Sequence, residues 1–130
     1  MDNKPSLKNI FDICKKDAGT TQSDTSKSII SEGDEIFDTI VKGNGDFIVE
    51  RIVSNGQITP NDQVYNQDKD ELVFLIQGEA RLLFVDENRE VALSKGSYLF
   101  IKARCKHRVT YTSKEPPCVW IAVHGSMKME

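Results

Sequence analysis

Apolar and polar positions change rhythm along this chain. Near the start, Leu7, Ile10, Phe11 and Cys14 fall at i, i+3, i+4 and i+7, the stripe of one helical face, and Ser6 is placed to cap it. Residues 18–26, AGTTQSDTS, are too polar to bury anything and read as a mobile linker. A second short helix is predicted over 34–42. Asp34 would cap it, Ile36, Phe37, Ile40 and Val41 would form its apolar face, and Gly43 would end it. From Phe47 onward the period becomes two. Phe47 to Val53 is rich in β-branched residues and closes on Ser54-Asn55-Gly56. Leu72 to Ile76 is a continuous apolar run, as expected for a strand buried on both faces. Residues 79–86 alternate loosely, and Glu87-Asn88 offers a tight turn into 89–93, Asn88 tolerating a left-handed backbone. Further strands are predicted at 98–102, 107–113 and 118–124, with a break at Pro116-Pro117. Short strands at this spacing, with no helices between them, give an all-β class: an antiparallel sandwich or barrel with short N-terminal helices.

A chain of 130 residues holds one domain with a self-supporting core. Its organisation reads as an N-terminal extension, 1–33, and a barrel, 34–130. With 17 basic against 20 acidic residues and a net charge of -3, it lacks the concentrated positive field that phosphate backbones require, so nucleic acid is not the expected partner. No apolar run approaches the ~20 residues of a membrane span, and the opening Met1-Asp2-Asn3-Lys4-Pro5 is polar. The three cysteines, Cys14, Cys105 and Cys118, have no C-x-x-C spacing. Reduced thiols in a cytoplasmic protein, with no membrane contact, are the expectation.

The chemistry-bearing residues lie in the second half. Glu71 opens the apolar run that ends at Gly78, and Gly96 precedes His107. Over residues 46–124 this spacing resembles the cupins, small jelly-roll barrels of the double-stranded β-helix type. Their first motif reads G-x5-H-x-H-x3–4-E-x6-G and their second G-x5-P-x-G-x2-H-x3-N. Glu71 and Gly78 match the end of the first motif; Gly96 and His107 match the glycine and histidine of the second. The departures are specific. Tyr65 and Gln67 stand where the family has its histidine pair, and Thr59 replaces the first glycine. Lys102, Arg104 and Tyr111 replace the proline, glycine and asparagine of the second motif. The string from Tyr65 to Glu71, with Lys106-His107-Arg108-Val109, is similar to small bacterial cupin-domain proteins lacking the histidine pair.

The resemblance implies a pocket inside the barrel, because alternation aims residues i and i+2 of facing strands inward. Tyr65, Gln67, Glu71, His107 and Tyr111 are its expected ligand-binding residues, with Glu71 and His107 the candidate acid and base. Three histidines and a glutamate hold Fe, Mn, Ni, Cu or Zn in the family's metal sites. Here only Gln67, Glu71 and His107 remain as candidate ligands. Amide oxygen is a weak ligand, and a tyrosine seldom ligates unless ionised, far from its ordinary pKa near ~10. Glu71 and His107 can also simply bond each other. Cys105 is expected to fill space rather than supply a thiolate, and His124 to be a surface histidine at a strand end. Arg81, Arg104 and Arg108 are expected on solvated strand faces.

Three functions fit this pattern. The first is a cupin binding a small polar molecule, such as a sugar or carboxylic acid, around a Glu/His pair without tightly held metal. The second is a metal-dependent dioxygenase or isomerase using Fe, Mn, Ni or Zn in a degenerate site. The third is a non-enzymatic dimerisation module. The resemblance implies a homodimer, for which Phe47, Val49 and Val53 are candidate exposed apolar surface.

Overall fold

The computed structural model describes residues 5–13 and 34–130. Eight strands build it: β1 (Ile36–Lys42), β2 (Ile48–Ser54), β3 (Asp70–Gln77), β4 (Ala80–Phe84), β5 (Arg89–Leu93), β6 (Tyr98–Ile101), β7 (His107–Thr112) and β8 (Cys118–Gly125). All pair antiparallel, in a five-stranded sheet ordered β1-β2-β8-β3-β6 and a three-stranded sheet ordered β5-β4-β7. This is the jelly-roll architecture expected from the sequence.

The two sheets close on a shared core. Val73, Leu75, Trp120 and Ala122 come from the larger sheet, and Ala80, Leu82, Phe84 and Leu93 from the smaller. Leu75, at 0 % exposure, sits in the apolar run read as a doubly buried strand. Trp120 buries its ring and keeps its indole N–H satisfied by donating to Ser54 Oγ at 3.1 Å. Asn88 takes φ 51 in the β4–β5 turn, as its residue type suggested. Gly78, between β3 and β4, has φ 95. A Cβ there would lie 2.9 Å from the Cys118 Cα, so the close approach of β8 admits only glycine.

Residues 34–42 correct the sequence reading: they form strand β1, not a helix. Ile36, Phe37, Ile40 and Val41 do satisfy helical spacing, but Ile36, Thr39, Ile40 and Val41 are β-branched, and β2 offers a ladder from Ile36↔Val53 to Lys42↔Ile48. The register slips between Thr39 and Val41, leaving Ile40 as an extra residue. That bulge re-phases the strand and produces the paired apolar positions that imitate a helix face. Residues 5–13 also lack a helix. They turn at Asn9–Asp12, with Asp12 N–H donating to the Asn9 carbonyl at 3.0 Å. Arg51 of β2 holds the segment, donating to the carbonyls of Ile10 (3.1 Å) and Asp12 (2.9 Å) while its Nε donates to Asp38 (3.0 Å). Cys14 and the 18–26 linker lie outside the described residues.

The outer face of the five-stranded sheet is also apolar. The register aligns Val49, Val123, Leu72 and Phe100 in one row and Ile121, Phe74 and Tyr98 in another, all of them at least partly exposed. Val53 is buried instead, flanked in register by Ile36 and Val119 on both neighbouring strands. No helix among the described residues is long and apolar enough to cross a membrane.

Candidate ligand cavity

The cross-strand register decides which side chains meet inside the barrel. His124 of β8 lies opposite Ile48 of β2 and Glu71 of β3, with Glu50 two residues along β2 on the same face. The smaller sheet contributes Leu82, His107 and Val109, and the connection into β3 contributes Tyr65 and Gln67. Together with Glu35, Phe37, Ile52, Val73, Ile101 and Trp120 they enclose a cavity of ≈ 100 Å³. That is room for a few waters or a small ligand group. The wall is largely apolar, and among the described residues no lysine or arginine lines it.

Tyr65 is fixed by its backbone. Its N–H donates to the His107 carbonyl at 2.8 Å, and the His107 N–H donates back to the Tyr65 carbonyl at 3.1 Å. The two rings stack with centroids 5.3 Å apart. Gln67 is held by the Arg104 N–H, which donates to its carbonyl at 2.7 Å. Arg104 itself takes φ 69, the conformation that explains a glycine at this position of the second motif. The arginine serves the site through its main chain.

Glu71 is 9 % exposed, and its Oε1 accepts from the Gln67 amide at 3.0 Å. Burial pushes its carboxyl above the usual carboxylate value; the nearby His124 and His107 imidazoles pull it partly back. His107 is 4 % exposed. Its Nδ1 lies 2.9 Å from the Cys105 carbonyl, an acceptor, so Nδ1 carries the proton and Nε2 is the nitrogen left for the cavity. His124 Nε2 lies 3.1 Å from Glu50 Oε1, a contact that raises the imidazole's pKa against the opposing effect of burial. Glu35 accepts from Ser54 Oγ at 2.7 Å, which links it to the Trp120 indole.

Four of the five expected ligand-binding residues, Tyr65, Gln67, Glu71 and His107, therefore share one cavity. Tyr111 does not. On β7 the partner of Arg81 is Tyr111 and the partner of Leu82 is Val109, so Thr110 is an extra residue. The inward parity that runs from His107 to Val109 breaks at this bulge. Tyr111, 45 % exposed, lines a separate surface cleft with Phe11, Gly78 and Lys95. His124, expected at the surface, is a wall residue, and Glu35 and Glu50 join it unanticipated. Arg81 and Arg108 stay outside, Arg81 beside Glu90 and Arg108 donating to the Thr59 carbonyl. Cys105 keeps its thiol protonated, burial pushing its pKa up, and contributes a carbonyl instead.

The donor set does not fit a metal ion. Among the described residues, no three His, Cys, Asp or Glu side chains converge to hold one. Gln67 turns its amide N–H, not its oxygen, toward Glu71. Burial, with the Glu35, Glu71 and Glu50 carboxylates, raises the Tyr65 pKa and keeps its phenol neutral.

Residues 49–124 match the Cupin domain family. Among solved structures, a proposed mannose-6-phosphate isomerase from Ralstonia eutropha JMP134 is 31% identical over 95% of this chain and 100% of that one, with TM-score 0.76. A cupin superfamily protein from Desulfitobacterium hafniense DCB-2 is 14% identical, covering 75% and 83% at TM-score 0.61. A conserved protein with a double-stranded β-helix domain from Klebsiella pneumoniae is 20% identical, covering 74% and 80% at TM-score 0.61. The last two are similar in fold alone. No curated protein matches the chain.

Proposed function

This chain belongs to the cupin-domain family, and from that premise we propose that its barrel binds a small polar molecule through its own side chains, without a resident metal. The observation that carries the reading is the pairing of a buried carboxyl, Glu71, with an imidazole, His107, whose Nδ1 is already occupied. Glu71 accepts one amide hydrogen bond, and burial raises its pKa above the usual carboxylate value, which favours proton exchange with a bound ligand. His107 presents Nε2 as an acceptor to the cavity it lines. An acid and a base in one apolar cavity suit proton transfer to and from a hydroxyl or carbonyl compound, and sugar isomerisation, which the name of the Ralstonia relative suggests, is chemistry of that kind. A sugar phosphate fits less well, because among the described residues three carboxylates and no lysine or arginine line the wall.

A thermal-shift screen of neutral sugars, polyols, amino alcohols and hydroxy acids tests this. A compound present at about 100 times its Kd stabilises the fold by about 2.7 kcal/mol, several degrees in Tm. The shift should be lost in Glu71→Gln and in His107→Gln. A library with no stabilising compound, or a shift that survives both substitutions, contradicts the reading.

The partly exposed apolar outer face of the five-stranded sheet favours a homodimer as a second feature. Light scattering should give twice the mass of 14.7 kDa, and Phe74→Lys should reduce it to one copy. A monomeric wild type contradicts this.

A further inference from the structure

We infer that the ligand of this cavity carries an organic ammonium group, seated against Glu35, Glu50 and Glu71 beside the rings of Tyr65 and Trp120. The inference rests on the reading of the cavity as a small-molecule site and names the ligand's charge.

The first support is the charge of the wall. Among the described residues it holds three carboxylates and two imidazoles, and no lysine or arginine. His124 is engaged with Glu50 at 3.1 Å, and Glu35 accepts from a neutral hydroxyl donor, Ser54 Oγ, at 2.7 Å. Glu71 accepts from a neutral amide donor, Gln67, at 3.0 Å, and the His124 and His107 imidazoles lie near it. The carboxylates thus outnumber the cationic groups that face them, and a negative wall in a low-dielectric cavity favours a positive guest.

The second support is a hydrogen-bond acceptor. His107 is nine-tenths or more buried, with its Nδ1 satisfied by the Cys105 carbonyl. Its Nε2 is the ring nitrogen left free of that contact, and the ring lines the cavity. An acceptor at the cavity wall can take a donor from the ligand, and an ammonium or an adjoining hydroxyl supplies one. Glu71 likewise offers more acceptor sites than the single amide contact fills.

The third support separates an organic cation from a metal ion. No three ligating side chains converge among the described residues, so the negative charge is spread along the wall rather than focused on a point. Tyr65, Trp120 and Phe37 contribute aromatic surface to the same wall. Dispersed carboxylates with aromatic faces are the environment that holds ammonium and quaternary ammonium groups.

The test is a charge series of near-isosteric probes at constant ionic strength on the full chain. Choline is compared with 3,3-dimethylbutan-1-ol, and 1,4-diaminobutane with butane-1,4-diol and succinate, by thermal unfolding and calorimetry. The ammonium probes should raise Tm, and the neutral and anionic partners should bind at least about tenfold more weakly. Glu71→Gln and Glu35→Gln should each weaken the ammonium probes by about tenfold, the loss of one charge-assisted contact. Neutral probes binding as well as the ammonium ones, or succinate binding better, would overturn the inference and leave the small-molecule reading standing. If no probe of any charge binds and the broader screen of neutral compounds also fails, both fall. Because the probe series is read on the wild-type protein, the outcome does not depend on any variant folding.

Discussion

His124 Nε2 and Glu50 Oε1 meet at 3.1 Å on the inner face of the five-stranded sheet, and this contact raises the imidazole's pKa above its ordinary 6.5. A group whose folded pKa is raised stabilises the fold fully below its unfolded value and loses that contribution as pH rises through the folded value. Glu71, raised from 4.5 chiefly by burial, acts with the same sign over a window that begins lower. Stability should therefore decline as pH climbs through and above 6.5. Glu50→Gln should flatten the upper part of that decline and lower the His124 pKa followed by NMR. A wild-type Tm that rises over this window, or a His124 pKa below 6.5, would contradict the assignment.

The bulge at Thr110 separates two tyrosines that the sequence treats as equivalent. Tyr65→Leu removes a ring stacked on His107 and should weaken binding of any cavity ligand by about tenfold or more, the scale of one lost aromatic contact. Tyr111→Leu should leave affinity within about twofold, as a surface change away from the cavity. Calorimetry with a screened ligand decides it; equal losses in both variants would mean the cavity extends across the bulge.

Two motif glycines differ in what surrounds them. At Gly96, φ 91, nothing lies within 4 Å of an added Cβ, so Gly96→Ala should cost only the backbone strain of about 1–2 kcal/mol. At Gly78 the Cβ would also meet the Cys118 backbone at 2.9 Å, so Gly78→Ala should cost about 3 kcal/mol or more. Urea unfolding of the two variants measures both, and the reverse order would be inconsistent with the close approach of β8 to the β3–β4 turn.

The strands from β2 to β8 were legible because each has either a continuous apolar run, such as Leu72 to Ile76, or alternation between clear turn residues, such as Glu87-Asn88. The first strand was not, because the bulge at Ile40 gives its apolar residues helical spacing and its partner is chosen by tertiary pairing. The site divided in the same way. Tyr65, Gln67, Glu71 and His107 stand at motif positions and could be read directly, whereas Glu50 lies in a strand whose two faces are both largely apolar, IVERIVS, and nothing local says which faces inward. His124 had the same ambiguity. Alternation on β8 places it in phase with Trp120 and Ala122, and that phase becomes informative only once Trp120 is known to be core. Tyr111 was misplaced because a bulge on β7 leaves no mark in composition.

The central claim is that the cavity holds its ligand through its own carboxylates, imidazoles and rings rather than through a metal. Mass-spectrometric metal analysis of protein carrying no affinity histidines, after incubation with Fe, Mn, Ni and Zn in turn and removal of loose ions, tests it most directly beside His107→Ala. The account predicts metal far below one equivalent in both proteins. Near-stoichiometric metal in the wild type that is lost in His107→Ala would contradict it.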